Sequence, residues 1–434
     1  MKTEHCVIIG GGVAGLTAAF KLLENKKKVT LIEIEKRCGG LGKSFIYNKN
    51  IFDIGPHRFF SLNHSVINFV KNILSNEFIE ISRNASVHFS GKYLSWPFNF
   101  IDFFRLPLKI SSSSMIDLFF NLYKKKSSHI SFEDYLVSRY GKTIYNNFFK
   151  DYTEKFLGLK SESVDKKWAD LSIERALIDP KIKMADLFDI IVQSFKLNDK
   201  TKFIYPLKGG IGRFSDILVN LILQKKGKII TETKPVKLKI LKNKIQGLEL
   251  SKYGYIKCDK LLWSAPITDL IELLKEKTSL YFRSTVLLNL IVSGEPALRY
   301  QWCYFGEKDV VFSRVSIPSF FSPFNSQEGV FGLCVEITCD KNEQIKIEPL
   351  KKRVIEDLYK TKFLSKKNRV LSIHFEKIDN SYPVYKKGFE SEKQKCINMI
   401  STLKNVYLLG RCGLFWYNNM DQSIEHSMKL TEEL

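Results

Sequence analysis

Apolar and polar positions alternate along this chain with two periods, and the change of period marks where strands give way to helices. Val7-Ile8-Ile9 is a short continuous apolar run, which predicts a buried strand. Residues 16–23 follow a glycine cluster with apolar positions suited to packing a helix on a sheet. Val29-Thr30-Leu31-Ile32 predicts a second buried strand. From about residue 65 to 200 the pattern reads largely helical, with helices over 65–74, 115–124, 132–149 and 184–195 and Ser131 as a cap before the third. A glycine-rich loop at 205–212 leads into a helix over 214–223. Strands are predicted over 228–231, 236–241, 245–251 and 260–264, then longer ones over 284–293, 310–316 and 329–338. The chain returns to an α/β pattern with a strand over 406–410 and a helix near Gln422. These elements predict an α/β fold. A discontinuous Rossmann-type domain is built from 1–60, 203–280 and 396–434, with a mainly helical insertion over 61–202 and an antiparallel-sheet domain over 281–395.

Composition changes this picture little. The 434 residues are 44% hydrophobic and 26% charged, which is ordinary for a globular protein. No apolar run is long enough for a membrane span, and the N-terminus does not read as a signal peptide. A cytoplasmic protein without integral membrane association is the expectation. The formal charge of +22 comes from lysines scattered in short runs, as at Lys124-Lys125-Lys126, and not from one arm or helix, so nucleic-acid binding is not expected. Eight cysteines without a CxxC pair read as free thiols, and no metal site is predicted.

Candidate chemistry concentrates near the start. Gly10, Gly12 and Gly15 form a GxGxxG loop between the first strand and helix. Their expected tasks are a tight turn, approach of bare backbone to a pyrophosphate, and close helix–strand contact. The helix N-terminus offers unpaired N–H groups to the anion. Glu33 ends the second strand and is placed to accept hydrogen bonds from a ribose. Arg37, Gly39, Gly40, Gly42 and Ser44 follow, and this segment resembles the ExxxRxGGxxxS/T extension of flavoproteins in the amine oxidase and protoporphyrinogen oxidase group. Together the two motifs point to FAD and away from NAD.

Further landmarks, in order, resemble UDP-galactopyranose mutase and its relatives. Gly55-Pro56-His57-Arg58-Phe59 resembles GAHIF, Pro97-Phe98-Asn99 resembles PFN, and Tyr152-Thr153-Glu154-Lys155-Phe156-Leu157-Gly158 resembles YTEKQWG. Pro206 with Gly209-Gly210 resembles PVGG, Phe282-Arg283-Ser284 resembles YRS, and Tyr382-Pro383-Val384 resembles YPV. Gly410-Arg411 with Tyr417-Asn418-Asn419-Met420 resembles GR followed by YYDM. The resemblance implies a nucleotide-sugar pyranose–furanose mutase in which N5 of reduced FAD attacks the anomeric carbon, with NAD(P)H as the expected reductant. Cell-surface polysaccharide biosynthesis is the implied setting, and an assembly of identical subunits is compatible. Arg314, Tyr382 and Tyr417 fall where the family clamps a diphosphate, and His57 falls beside the flavin. Gly410, Arg411 and Asn419 fall on the cofactor side. Asn99, Tyr152, Arg283 and Glu336 fall on the substrate side. Three positions depart from the family: its Trp is Leu157, its Asp is Asn419, and its mobile-loop Arg has only Arg175 nearby, out of register.

Each candidate also has a plain structural reading. His57 could bond a carbonyl in a core turn, Arg314 could be a solvated strand residue, and Tyr382 could pack a turn. Trp96, Trp263, Trp302 and Trp416 read as core or pocket wall. The competing function is an FAD-dependent oxidoreductase of the amine oxidase, protoporphyrinogen oxidase or desaturase type, which shares the FAD motifs but needs no anion clamp. A non-enzymatic flavin-binding partner protein is the third reading.

Overall fold

The computed structural model describes residues 3–75, 77–96, 100–122, 131–169 and 202–434. The predicted helix 184–195, Asn99 with the rest of its PFN landmark, and Arg175 lie outside them.

The predicted opening unit is present. The strand His5–Ile9 pairs in parallel with Lys28–Ile32 on one side and Lys260–Trp263 on the other. Val406–Leu408 and Lys228–Ile230 complete a five-stranded parallel sheet. Four of five residues in each of the first two strands are buried, as expected for a parallel sheet covered on both faces. The helix Val13–Glu24 lies on one face with Ala14, Leu16, Ala18, Ala19 and Leu22 buried, and the helices Gly212–Gln224 and Met420–Glu432 pack beside it. A second, seven-stranded sheet runs in the order Val370–Pro383, Phe282–Ser293, Val330–Cys339, Arg314–Ser316, Trp302–Phe305, Ala85–Phe89, Lys92–Ser95. All its pairings are antiparallel except that of Trp302–Phe305 with Ala85–Phe89. The fold is thus mixed α/β, with a Rossmann-like unit and a largely antiparallel sheet.

Local departures from the sequence pattern have identifiable causes. Three strands, Phe78–Ser82, Ala85–Phe89 and Lys92–Ser95, interrupt the stretch that reads as helical. The first pairs with Lys202–Pro206 and the second with Trp302–Phe305, so distant partners decide their state. The helix expected over 115–124 begins at Leu108, because Ser112 and Ser114 turn their hydroxyls back onto the carbonyls of Leu108 and Ile110 and do not break it. The helix expected over 132–149 is broken at Gly141, where Asp117 fills the space a Cβ would take and accepts the Thr143 N–H at 2.6 Å. A π-helical turn, Tyr145–Lys150, follows. Of the strand expected over 310–316 only Arg314–Ser316 forms. The carbonyls of Glu307, Val310 and Phe312 instead face the ammonium of Lys155, at 2.9, 3.1 and 2.9 Å.

Candidate functional site

The glycine loop and the segment after Glu33 meet edge to edge. A Cβ on Gly15 would sit 2.0 Å from the Gly10 carbonyl, so helix and turn touch only because no side chain intervenes. Gly12 is different: a Cβ there would meet nothing nearer than the Gly40 Cα at 3.9 Å. Its lack of a side chain therefore leaves space rather than relieving a clash. Gly12 also forms a parallel bridge with Gly39, which brings the second glycine pair alongside the first. The result is a cradle walled by bare backbone at the start of a helix, the arrangement that receives a pyrophosphate.

Glu33 is buried, and burial pushes its carboxyl above the usual range. The N–H groups of Gly11 and Glu35 donate to its two oxygens at 2.6 and 2.9 Å, which leaves lone pairs for a sugar hydroxyl. Arg37 makes an ion pair with Asp216 at 2.6 Å and donates to the Ser44 carbonyl at 2.9 Å, tying the loop to the helix Gly212–Gln224. The Ser44 hydroxyl donates to Asp53 and accepts the Gly212 N–H, at 2.6 and 2.8 Å. Asp53 also accepts from Tyr205 and from the Ile211 N–H; burial pushes its pKa up to about 6. Gly42 packs on Val13 and Met420. Gly410, at φ 72°, lies against Ala14, and Asn419 caps the last helix with its N–H donating to Gln422.

The second cluster lies where the largely antiparallel sheet meets the turn 55–58. Arg314 and Glu336 are directly opposed in neighbouring antiparallel strands, so both side chains leave the same face. They form a two-pronged ion pair at 2.5 Å on each prong, and Arg314 donates further to the Tyr382 hydroxyl at 3.3 Å. Burial opposes the Arg314 charge, but Glu336 together with Tyr382 and Tyr304 outweighs it and holds the guanidinium protonated. Gly55 lies directly on this pair: a Cβ would sit 2.8 to 2.9 Å from both Glu336 oxygens and from Arg314 Nη2. His57, two residues on, has a buried Nδ1 without a partner. Burial, then the charges of Arg411, Arg314 and Arg58, push its pKa down to about 3, so the imidazole is neutral.

Aromatic side chains frame these charges. Tyr382 and Tyr417 meet edge to face at 5.7 Å, and Arg411 lies within 5.7 and 5.1 Å of their ring centres. Tyr152 meets Tyr304 at 5.8 Å, and burial raises its phenol well above the usual range. The structure thus brings together His57, Arg314, Glu336, Tyr152, Tyr382, Tyr417 and Arg411. Arg283 stands apart: it lies under Gly158 and pairs with Asp340.

Three neighbours in this cluster escape the sequence reading. Trp168 stacks on Tyr417 at 4.7 Å and 19°. Phe156 meets Tyr382 at 4.6 Å. Tyr304 lies beside both Tyr152 and Arg314. Trp168 has no local signal, since its partner lies almost 250 residues away. Phe156 stood inside the quoted YTEKQWG landmark, and its aromatic character was the available clue. Leu157, where the family has Trp, is a buried core residue.

Residues 8–73 match the NAD(P)-binding Rossmann-like domain family. Over 84 residues the chain is 31% identical to the L-amino acid oxidase Cdc18 of Crotalus durissus cumanensis; that match covers 19% of this chain and 17% of the oxidase. The shared part is thus under a fifth of either protein. Along its full length the chain is 20% identical to a probable UDP-galactopyranose mutase of Klebsiella pneumoniae, covering 95% of that protein. The crystal structure of reduced UDP-galactopyranose mutase superposes with a TM-score of 0.86 at 21% identity, covering 100% of this chain and 94% of that one. A putative protoporphyrinogen oxidase from Exiguobacterium sp. 255-15 superposes with a TM-score of 0.76 at 16% identity, covering 100% and 99%. In fold the chain is similar to UDP-galactopyranose mutase along its full length.

Proposed function

We propose that this chain is an FAD-dependent enzyme of the nucleotide-sugar pyranose–furanose mutase type. The observation that carries the reading is a charge imbalance. Arg58, Arg314 and Arg411 surround a neutral His57, and among the described residues only Arg314 has a carboxylate partner. Arg411 instead donates to the carbonyls of Ser381 and Asn418. Two guanidiniums with no carboxylate bonded to them among the described residues, in a half-buried, aromatic-walled site, suit a diphosphate, which two phenols and a guanidinium hold well.

The glycine cradle fits FAD. Gly10, Gly12, Gly15, Gly39 and Gly40 would admit the pyrophosphate and Glu33 the ribose. Reduced by NAD(P)H, the flavin would supply the electron-rich centre that exchanges bonds with the sugar. The chain's own groups bind and orient. Tyr382 and Tyr417 present hydroxyls toward the leaving diphosphate, and Trp168 and Phe156 brace those rings. Glu336, pinned by Arg314, offers a fixed acceptor for sugar hydroxyls. His57, lacking a proton on one nitrogen, can accept a hydrogen bond that an imidazolium could not.

The test is to load the protein with FAD, reduce it with dithionite and offer UDP- and dTDP-hexoses. The expected result is a furanose product without net flavin oxidation. Loss of the oxidised-flavin spectrum on adding an amine or an isoprenoid substrate, with no furanose formed, would overturn the proposal in favour of the oxidoreductase reading.

A further inference from the structure

Arg58 adds to the positive charge of this region, and its mounting sets it apart from Arg314 and Arg411. It follows His57 in the turn, at the position of the Ile in the GAHIF segment. Its guanidinium sits between the rings of Phe203 and Trp302, 4.7 and 4.5 Å from their centres. Among the described residues its one hydrogen bond is from Nη1 to the Pro56 carbonyl at 2.8 Å. No carboxylate among the described residues pairs with it. Its remaining donors are not sealed in the core, because none is a buried atom lacking a partner. The charges of Arg83 and Arg314 disfavour its protonation further, while Tyr304 and, more weakly, the carboxylate of Asp421 favour it.

This is an unusual way to hold a cation. A guanidinium withdrawn partly from water normally finds a carboxylate or a set of carbonyls. Arg58 has two aromatic faces, which hold it flat and cost it no donors. Four N–H groups are thus presented with no carboxylate bonded to them among the described residues. Arg314, by contrast, spends Nε and Nη2 on Glu336 and Tyr382. Only its Nη1 stays open, and its charge is already matched.

We propose that Arg58 is an anion-binding residue of this site, taking a phosphate oxygen of a pyrophosphate-bearing substrate. The inference rests on the proposed nucleotide-sugar reading for the identity of that substrate. The anion subsite itself does not depend on it. Rigid cation–π mounting also means that the charge is in place before the ligand arrives, without a loop having to close.

The probes are UDP, uridine and inorganic pyrophosphate, titrated into FAD-loaded wild type, Arg58→Ile and Arg58→Lys, with flavin fluorescence and calorimetry as readouts. Loss of a charge-assisted hydrogen bond predicts that Arg58→Ile weakens UDP and pyrophosphate by at least about tenfold. Uridine affinity and FAD content should stay as in wild type, and the salt dependence of UDP binding should flatten. Arg58→Lys should recover part of the loss. Unchanged UDP and pyrophosphate affinity would overturn the assignment. So would an equal loss for uridine, or release of FAD, either of which would give Arg58 a packing or cofactor role. Pyrophosphate binding that needs Arg58, in a protein that converts no nucleotide sugar, would keep the subsite and remove the mutase reading.

Discussion

Gly55 and His57 show how one short turn serves the site through opposite properties. Gly55 has φ 76° and no room for a Cβ against the Arg314–Glu336 pair. Gly55→Ala is therefore expected to lower stability by about 1–3 kcal/mol through backbone strain and displacement of a buried ion pair. Thermal unfolding would show this, together with a rise in the KM for the nucleotide sugar. His57 acts through its protonation state. Its folded pKa of about 3 lies below the ordinary value near 6.5. Between those values the unfolded chain binds more protons, so His57 makes stability rise with pH across this window and fall on acidification below about 6.5. Asp53, raised to about 6, has the opposite sign over its own window, from about 3.8 upward. The two can be separated with His57→Gln: on acidification from about pH 6.5 to 4 the variant should lose less stability than wild type, or gain some, because of the two only Asp53's opposite contribution remains. An equally steep fall in the variant would refute the assignment. Residues of this kind were legible in the sequence only through motif position. That Gly55 touches an ion pair made by two distant strands depends on sheet register, which no local pattern records.

Elements that anchor the site are legible where their partners are close and hidden where they are not. The opening strand–helix–strand unit could be read from the sequence because a parallel strand, a glycine turn and an amphipathic helix each leave a local signature. The start of the strand expected over 310–316 could not: its Val and Phe content suggests a strand, but one lysine from another helix captures the carbonyls of Val310 and Phe312. Lys155 lies on the helix Asp151–Leu157, and its Nζ donates to the carbonyls of Glu307, Val310 and Phe312 in the segment before Arg314. Removing the ammonium takes a charged donor from all three carbonyls, of which that of Glu307 keeps the Val310 N–H. Lys155→Met is expected to cost about 2–4 kcal/mol and to loosen the approach to Arg314. FAD should be retained while nucleotide-sugar KM rises more than kcat falls. A variant with lower melting temperature but unchanged KM would show that the lysine supports the fold alone.

At the scale of the whole molecule, the proposed cofactor site joins parts of the chain that are far apart in sequence. The five-stranded sheet draws strands from residues 5 to 408, and its glycine turn touches Ser264 and Ala265 as well as the segment after Glu33. A dinucleotide seated there contacts several segments at once and none of them when the chain is unfolded. Its binding energy is then added to global stability, by about 2.7 kcal/mol at a hundredfold excess over Kd. Two glycines three residues apart allow this linkage to be tested. Gly15→Ala puts a methyl 2.0 Å from the Gly10 carbonyl, so it should destabilise the protein with or without FAD. Gly12→Ala meets open space, so the apo protein should melt as wild type does, while the methyl occupies volume the pyrophosphate needs. Its melting temperature should therefore fail to rise when FAD is added, although wild type's rises. If Gly12→Ala gained as much from FAD as wild type, the cradle would not be where the diphosphate lies, and the coenzyme would have to be sought elsewhere in the fold.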